Sequence, residues 1–290
     1  MNRAFQLRLA LFFALIAAGV ALAATQNSQD VSSQDVSGRA EIDKIIKESG
    51  ANVSVAARSL DNSQELLIRA DERYDDIHAL RIPIMIELYA EAEAGELKLS
   101  DALLVHDGVR VDADGPVYHM DHQADPTLTQ TAGKTRTLRE LNEDMITHNS
   151  DFATNLLIER LTLPRVRERI KSLGADGMVI AAPFPNNVKN FTSARAVMAL
   201  LWALATEKAV SPGASKEMVG LIAHSGLHPS GPTLPPPVPA PPVAATALRD
   251  ATILFGAHSM VFVIQVQGIR ETSTGAQIIG KITTALAKGI

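Results

Sequence analysis

Eight of the chain's fifteen prolines fall between Pro229 and Pro242. Each one fixes its own φ and removes a backbone donor, so neither a helix nor a ladder-forming strand passes through this stretch. The chain must therefore be built from a long part before this stiff loop and a short part after it. The short part reads as a closing hairpin, Ala251–Gly256 and Met260–Val266, followed by a helix over Thr274–Lys288. The long part opens with a helix over Ala40–Glu48 that Gly50 stops. Two strand-like runs follow, Asn52–Ala57 and Glu65–Ala70, around the turn Leu60-Asp61-Asn62-Ser63.

The middle of the chain has helical period. A helix is expected over Ile82–Ala94. Thr137-Leu138-Arg139-Glu140 has the spacing of a capping box, with Leu138, Leu141 and Met145 as the apolar stripe behind it. Phe152, Leu156, Leu157 and Leu161 form a second stripe. Val166–Leu173, Ala194–Ala205 and Ser215–Ala223 are further helices, and Asp107–Gly133 has no clean period. The fold class is mixed α/β, an antiparallel sheet flanked by terminal helices plus an all-helical lobe. The sheet lobe is expected from 39–75 and 243–290, the helical lobe from about 76–228, and the proline-rich loop over 229–242.

Arg3 and Arg8 precede an apolar run from Leu9 to Leu22, and Ala21-Leu22-Ala23 has a small-x-small pattern, so residues 1–23 read as a secretory signal peptide. Retention of that run as an N-terminal anchor is the alternative. Residues 24–38 are a polar spacer containing the duplicated pentapeptide Ser28–Ser32 and Ser33–Ser37. The expected location is periplasmic or secreted, with no membrane association after cleavage. The chain has no cysteine, so disulfides contribute nothing and the packed core must carry stability. Loss of Arg3 and Arg8 takes the net charge from −5 to −7, and no basic cluster argues for nucleic acid.

Three stretches, taken in order, resemble the class A β-lactamase and penicillin-binding serine hydrolases. They are Ile82-Pro83-Ile84-Met85-Ile86-Glu87-Leu88-Tyr89 with Ala94-Gly95-Glu96-Leu97; Leu138-Arg139-Glu140-Leu141 with Met145-Ile146-Thr147 and Ala153-Thr154-Asn155-Leu156-Leu157-Ile158; and Asn190-Phe191-Thr192-Ser193-Ala194-Arg195. The resemblance covers most of 40–290. It implies a Ser-x-x-Lys motif, a Ser-Asp-Asn motif and a Lys-Thr-Gly motif, in which the lysine one helical turn after the serine supplies its base.

At the matching positions the chain departs from all three. His78 stands for the nucleophilic serine and Arg81 for the lysine, and a guanidinium does not give up its proton to act as a base. The second motif reads Asn149-Ser150-Asp151, and the third falls near Thr246-Ala247-Leu248 without a lysine. The loop that carries the family's deacylating glutamate corresponds to Ala181-Ala182-Pro183-Phe184-Pro185-Asn186, which has no acid. Loss of nucleophile or base from such a unit costs about 10⁶-fold in rate. The resemblance therefore implies a catalytically degenerate pseudoenzyme, with no cofactor, that keeps a cleft for a β-lactam, a peptidoglycan fragment or a protein partner.

Other readings compete with this one. His78 and Arg81 are either a ligand-binding pair or inert replacements. Ser150 is either a surrogate nucleophile of a rearranged, active serine hydrolase, with His148 beside it, or a helix cap. His119, Asp121 and His122 are the one candidate metal site, against a solvated loop. Gly133-Lys134-Thr135 lacks the earlier glycine of a phosphate loop, Leu128 standing there. Trp202 is expected in the core.

Overall fold

The computed structural model describes residues 38–76, 78–110, 114–120, 130–186, 189–225, 247–256 and 259–289. The expected signal segment, the proline-rich loop, Asp121, His122 and Thr246 lie outside these residues.

Helix α1 (Arg39–Ser49) ends at Gly50, whose φ of 62° is the left-handed cap that glycine adopts without a Cβ clash. Strands β1 (Asn52–Ser59) and β2 (Glu65–Ile68) pair as a hairpin, with Val55 opposite Ile68 and Arg58 opposite Glu65. After the proline-rich loop, β7 (Ala247–Leu254) and β8 (Met260–Gln267) join them. The four-stranded sheet has the order β2-β1-β8-β7, and every neighbouring pair is antiparallel. Helix α8 (Thr272–Gly289) closes the chain.

The sheet is covered on both faces, which is why Met260-Val261-Phe262-Val263-Ile264 is a continuous apolar run and not an alternating one. Met260, Phe262, Ile264 and Val266 pack with Ile42 of α1 and with Ile278, Ile279 and Ile282 of α8. Val261 and Val263 point the other way, into the core shared with the helices. Helix α6 (Ala194–Ala205) lies against that inner face.

The helical layer is centred on α2 (Ile82–Glu93), whose Ile82, Ile84, Met85, Ile86 and Leu88 are fully buried. Around it stand α3 (Leu138–Thr147), α4 (Asp151–Leu161), α5 (Leu163–Ser172) and α7 (Pro212–Ala223). Thr137 and Glu140 form the capping box in both directions, and Ser150, Ser193 and Ser211 each accept a hydrogen bond from the third residue of their helix. Buried Glu87 and Glu91 of α2 are paired across to Arg169 and Arg165 of α5 at 2.8 and 3.1 Å. Among the described residues no helix is long and apolar enough to cross a membrane.

Three expectations need correction. The closing hairpin begins at Ala247, because the strand runs through charged Arg249 and Asp250, which mask its period. Helix α7 starts at Pro212, where the missing N–H of proline costs nothing in a first turn. Trp202 is half-buried, not core. Arg58 and Lys208 lie over its ring, 4.2 and 4.6 Å from the centroid, and its N–H donates to the Ser59 carbonyl at 3.1 Å. The region expected to be irregular, Asp107–Gly133, carries one short pairing, β4 (Gly108–Val109) with β5 (Tyr118–His119), and a second, β3 (Ala102–Leu104) with β6 (Thr135–Thr137), flanks it.

Candidate functional site

Two turns bring the sequence-marked residues together. The first runs from Asp76 into α2. Asp76 Oδ1 accepts the Ala79 N–H at 3.1 Å and so starts the single 3₁₀ turn Ala79–Arg81, which presents His78 and Arg81 on one side. Asp76 is itself held by Arg249 Nε of β7 at 3.1 Å. The second turn links α3 to α4. Asn149 sits there at φ 56°, a left-handed conformation that asparagine tolerates better than most residues. This conformation turns both its carbonyl and its side chain toward Arg81.

Arg81 is the centre of the arrangement. Its side chain is 3% exposed, and each of its nitrogens meets an internal partner. Nε donates to Thr154 Oγ1 at 3.1 Å, Nη1 to Asn149 Oδ1 at 3.3 Å, and Nη2 to the Asn149 carbonyl at 2.9 Å and Asp151 Oδ1 at 2.6 Å. Burial presses its pKa down, and the Asp151 carboxylate is the largest influence opposing that. A charge desolvated this far is tolerated because it is paired and hydrogen-bonded. The ring of Phe184 lies 5.9 Å from the guanidinium.

His78 Nδ1 lies 2.6 Å from Asn149 Oδ1 and 3.2 Å from Arg81 Nη1. Burial is the main cause that lowers its pKa. Arg249 and Arg81 act in the same direction, while Asp76 and the Asn149 bond act against them. Tyr74, two residues before Asp76, is 5% exposed with an Oη that has no hydrogen-bond partner among the described residues. Its pKa is raised well above the ordinary value, first by burial and then by Asp76.

The loop that follows α5 closes the site from behind. Asn155, fully buried on α4, donates Nδ2 to the Phe184 carbonyl and accepts the Phe184 N–H, both at 2.8 Å. Asn190 Oδ1 accepts the N–H groups of Ala181 and Ala182 at 2.8 and 3.0 Å. The Phe184–Pro185 peptide is cis.

His78, Arg81, Asn149 and Asp151 therefore converge on one spot. Ser150, between Asn149 and Asp151 in sequence, is 5% exposed and caps α4, its Oγ accepting the Ala153 N–H at 2.9 Å. His148 is directed away to Asp144 at 3.2 Å. His119 is 74% exposed, with Asp107 at 3.9 Å, and no group of three metal-ligating side chains occurs among the described residues. Two cavities of about 550 and 470 Å³ lie elsewhere, against α2, α3 and α7, and share Ala92 and Leu99. Sequence reasoning missed Asp76, Arg249, Thr154 and Phe184 as parts of the site. The signal for Arg249 is a charged pair, Arg249-Asp250, inside the closing strand.

A profile described as the β-lactamase enzyme family matches residues 38–290. The chain belongs to that family. Solved structures agree in fold with this β-lactamase-family chain. A β-lactamase from Sphaerobacter thermophilus is 21% identical, with a TM-score of 0.63 over 87% of this chain and 96% of its own. PBP-A is 17% identical, with a TM-score of 0.64 over 85% of this chain and 96% of its own. An ancestral class A β-lactamase is 16% identical, with a TM-score of 0.64 over 88% of this chain and all of its own. No curated protein sequence matches. The β-lactamase-like scaffold is thus present, and the expected mixed fold with it.

Proposed function

We propose that this chain is an exported β-lactamase-like domain that has lost acyl-serine catalysis and uses its cleft to hold a β-lactam or peptidoglycan-like ligand without a covalent bond. The observation that carries the reading is Arg81. At the position where the family has its base stands a buried guanidinium committed to Thr154, Asn149 and Asp151. It accepts no proton, and it ties together the two turns between which a nucleophile would have to move. The absence of an acid in 181–186 and the part-exposed Arg249, a cation suited to a ligand carboxylate, support the same reading. Export rests on the N-terminal segment.

The rearranged-hydrolase reading requires Ser150 as nucleophile, and its cap geometry argues against that. Incubation with saturating benzylpenicillin, followed by intact-mass measurement and a thermal-shift titration, tests the proposal. The expected result is reversible stabilisation with no added mass. A stoichiometric adduct on any serine overturns it.

A further inference from the structure

We propose that His78 is a general base that activates water for hydrolysis of small activated carboxylic esters, with Arg249 facing the developing oxyanion. This goes beyond ligand binding and does not rest on β-lactam recognition. It uses a different atom from the family's nucleophile and forms no covalent intermediate.

The tautomer follows from three contacts. Arg81 Nη1 donates to Asn149 Oδ1 at 3.3 Å, so the oxygen of that amide, not its nitrogen, faces the arginine. The same oxygen lies 2.6 Å from His78 Nδ1. The amide oxygen can only accept and asks for a proton on Nδ1, whereas Arg81 Nη1, which can only donate, lies 3.2 Å from the same nitrogen and asks for a lone pair there; the much shorter contact to Asn149 decides, so Nδ1 carries the proton and the lone pair of the neutral ring is on Nε2. That nitrogen has no partner among the described residues, and the ring is part-exposed. An imidazole fixed through Nδ1 with a bare Nε2 is the arrangement of a positioned general base. The charged groups that face it are Asp76, Arg81 and Arg249, and Asp151 lies behind Arg81. Burial keeps the ring neutral at pH 7, and Asp76 steadies the imidazolium once it forms. Arg249 is held to Asp76 through Nε, and its side chain is 25% exposed.

The step balances without any co-reactant. Nε2 takes a proton from water as the water oxygen bonds to the ester carbon, and the carbonyl pair moves onto the oxygen that faces Arg249. The intermediate then collapses, expelling the alkoxide or phenolate, which takes the proton from Nε2. Ester and water become acid and alcohol.

Hydrolysis of p-nitrophenyl acetate by the purified chain tests this. The expected kcat/KM exceeds that of the His78→Gln variant by about 100-fold, the lower end for a positioned base, and acid-quenched samples show no acetylated His78. The rate falls as pH drops through an inflection below 6.5, the ordinary histidine value. Asn149 acts as a positioning residue: Asn149→Ala lowers kcat more than KM and moves the inflection down, because its bond raises the His78 pKa. Arg249→Gln also lowers kcat but moves the inflection up, because that charge lowers the His78 pKa. On the unmutated chain, carbethoxylation with diethylpyrocarbonate, mapped by peptide mass to His78, abolishes the rate in step. A rate that survives modification or replacement of His78, or an acetylated His78 in quenched samples, overturns the proposal. A rate lost to a serine-directed sulfonyl fluoride overturns it too and, unlike the other outcomes, removes the acyl-serine argument as well.

Discussion

Arg81 Nη2 and Asp151 Oδ1 lie 2.6 Å apart although 70 residues separate them in the chain. This pair joins the turn that begins α2 to the turn that begins α4. On the proposed reading it stands where the family's chemistry would take place, so one contact would both hold the fold and displace that chemistry.

Removing one partner should therefore cost more than removing both. Asp151→Ala leaves a buried guanidinium without its carboxylate and should lower unfolding free energy by about 3 kcal/mol, the low end for a broken buried pair because Asp151 is 25% exposed. The double variant Arg81→Met with Asp151→Leu should recover most of that loss. Urea denaturation of the three proteins measures the coupling, and additive losses would contradict it.

Restoring serine and lysine in place of the two substituted residues should restore half of a reaction. With His78→Ser and Arg81→Lys, benzylpenicillin should form a slow stoichiometric adduct, because the helical turn between 78 and 81 is intact. The adduct should persist, since Phe184 stands on the loop where a deacylating acid would be needed. Intact mass over time reads both steps, and rapid loss of the adduct would show deacylation by another group.

Asn155→Ala should loosen the loop 181–186 more than it disturbs the rest of the molecule. It removes two buried hydrogen bonds to the Phe184 backbone and leaves that N–H and carbonyl unpaired. The cost should be about 2–4 kcal/mol. Faster limited proteolysis within 181–186 is the expected local sign, and an unchanged cleavage pattern would count against it.

Acid sensitivity should trace partly to His78. Its folded-state pKa lies below the ordinary 6.5, so folding favours the neutral ring. The associated stability is fully present above pH 6.5 and is lost as pH falls from there through the folded value. Subtracting the His78→Gln curve from the wild-type curve between pH 8 and 5 isolates this contribution. A difference that does not change with pH would rule the effect out.

Much of the local structure was legible in the residues themselves. Thr137 with Glu140, and Ser150 ahead of α4, announced their caps through side-chain chemistry that acts within four positions. The convergence of His78, Arg81, Asn149 and Asp151 was legible only through the resemblance, because it depends on contacts between turns some 70 positions apart. Arg249 and Asp76 were not legible at all, since their pairing depends on where an edge strand ends up beside a turn. Trp202 was misread because an apolar neighbourhood at helical spacing does not reveal that Arg58 and Lys208 cover the ring at the surface.

The loop behind the site is anchored by amides that bond only to its backbone, Asn155 to residue 184 and Asn190 to residues 181 and 182. Such anchoring is indifferent to which side chains the loop displays. An architecture of this kind is a socket: its shape is set from outside, and the group it presents can be exchanged without refolding. A change of chemistry at this site can therefore run through a few side chains and leave the scaffold untouched.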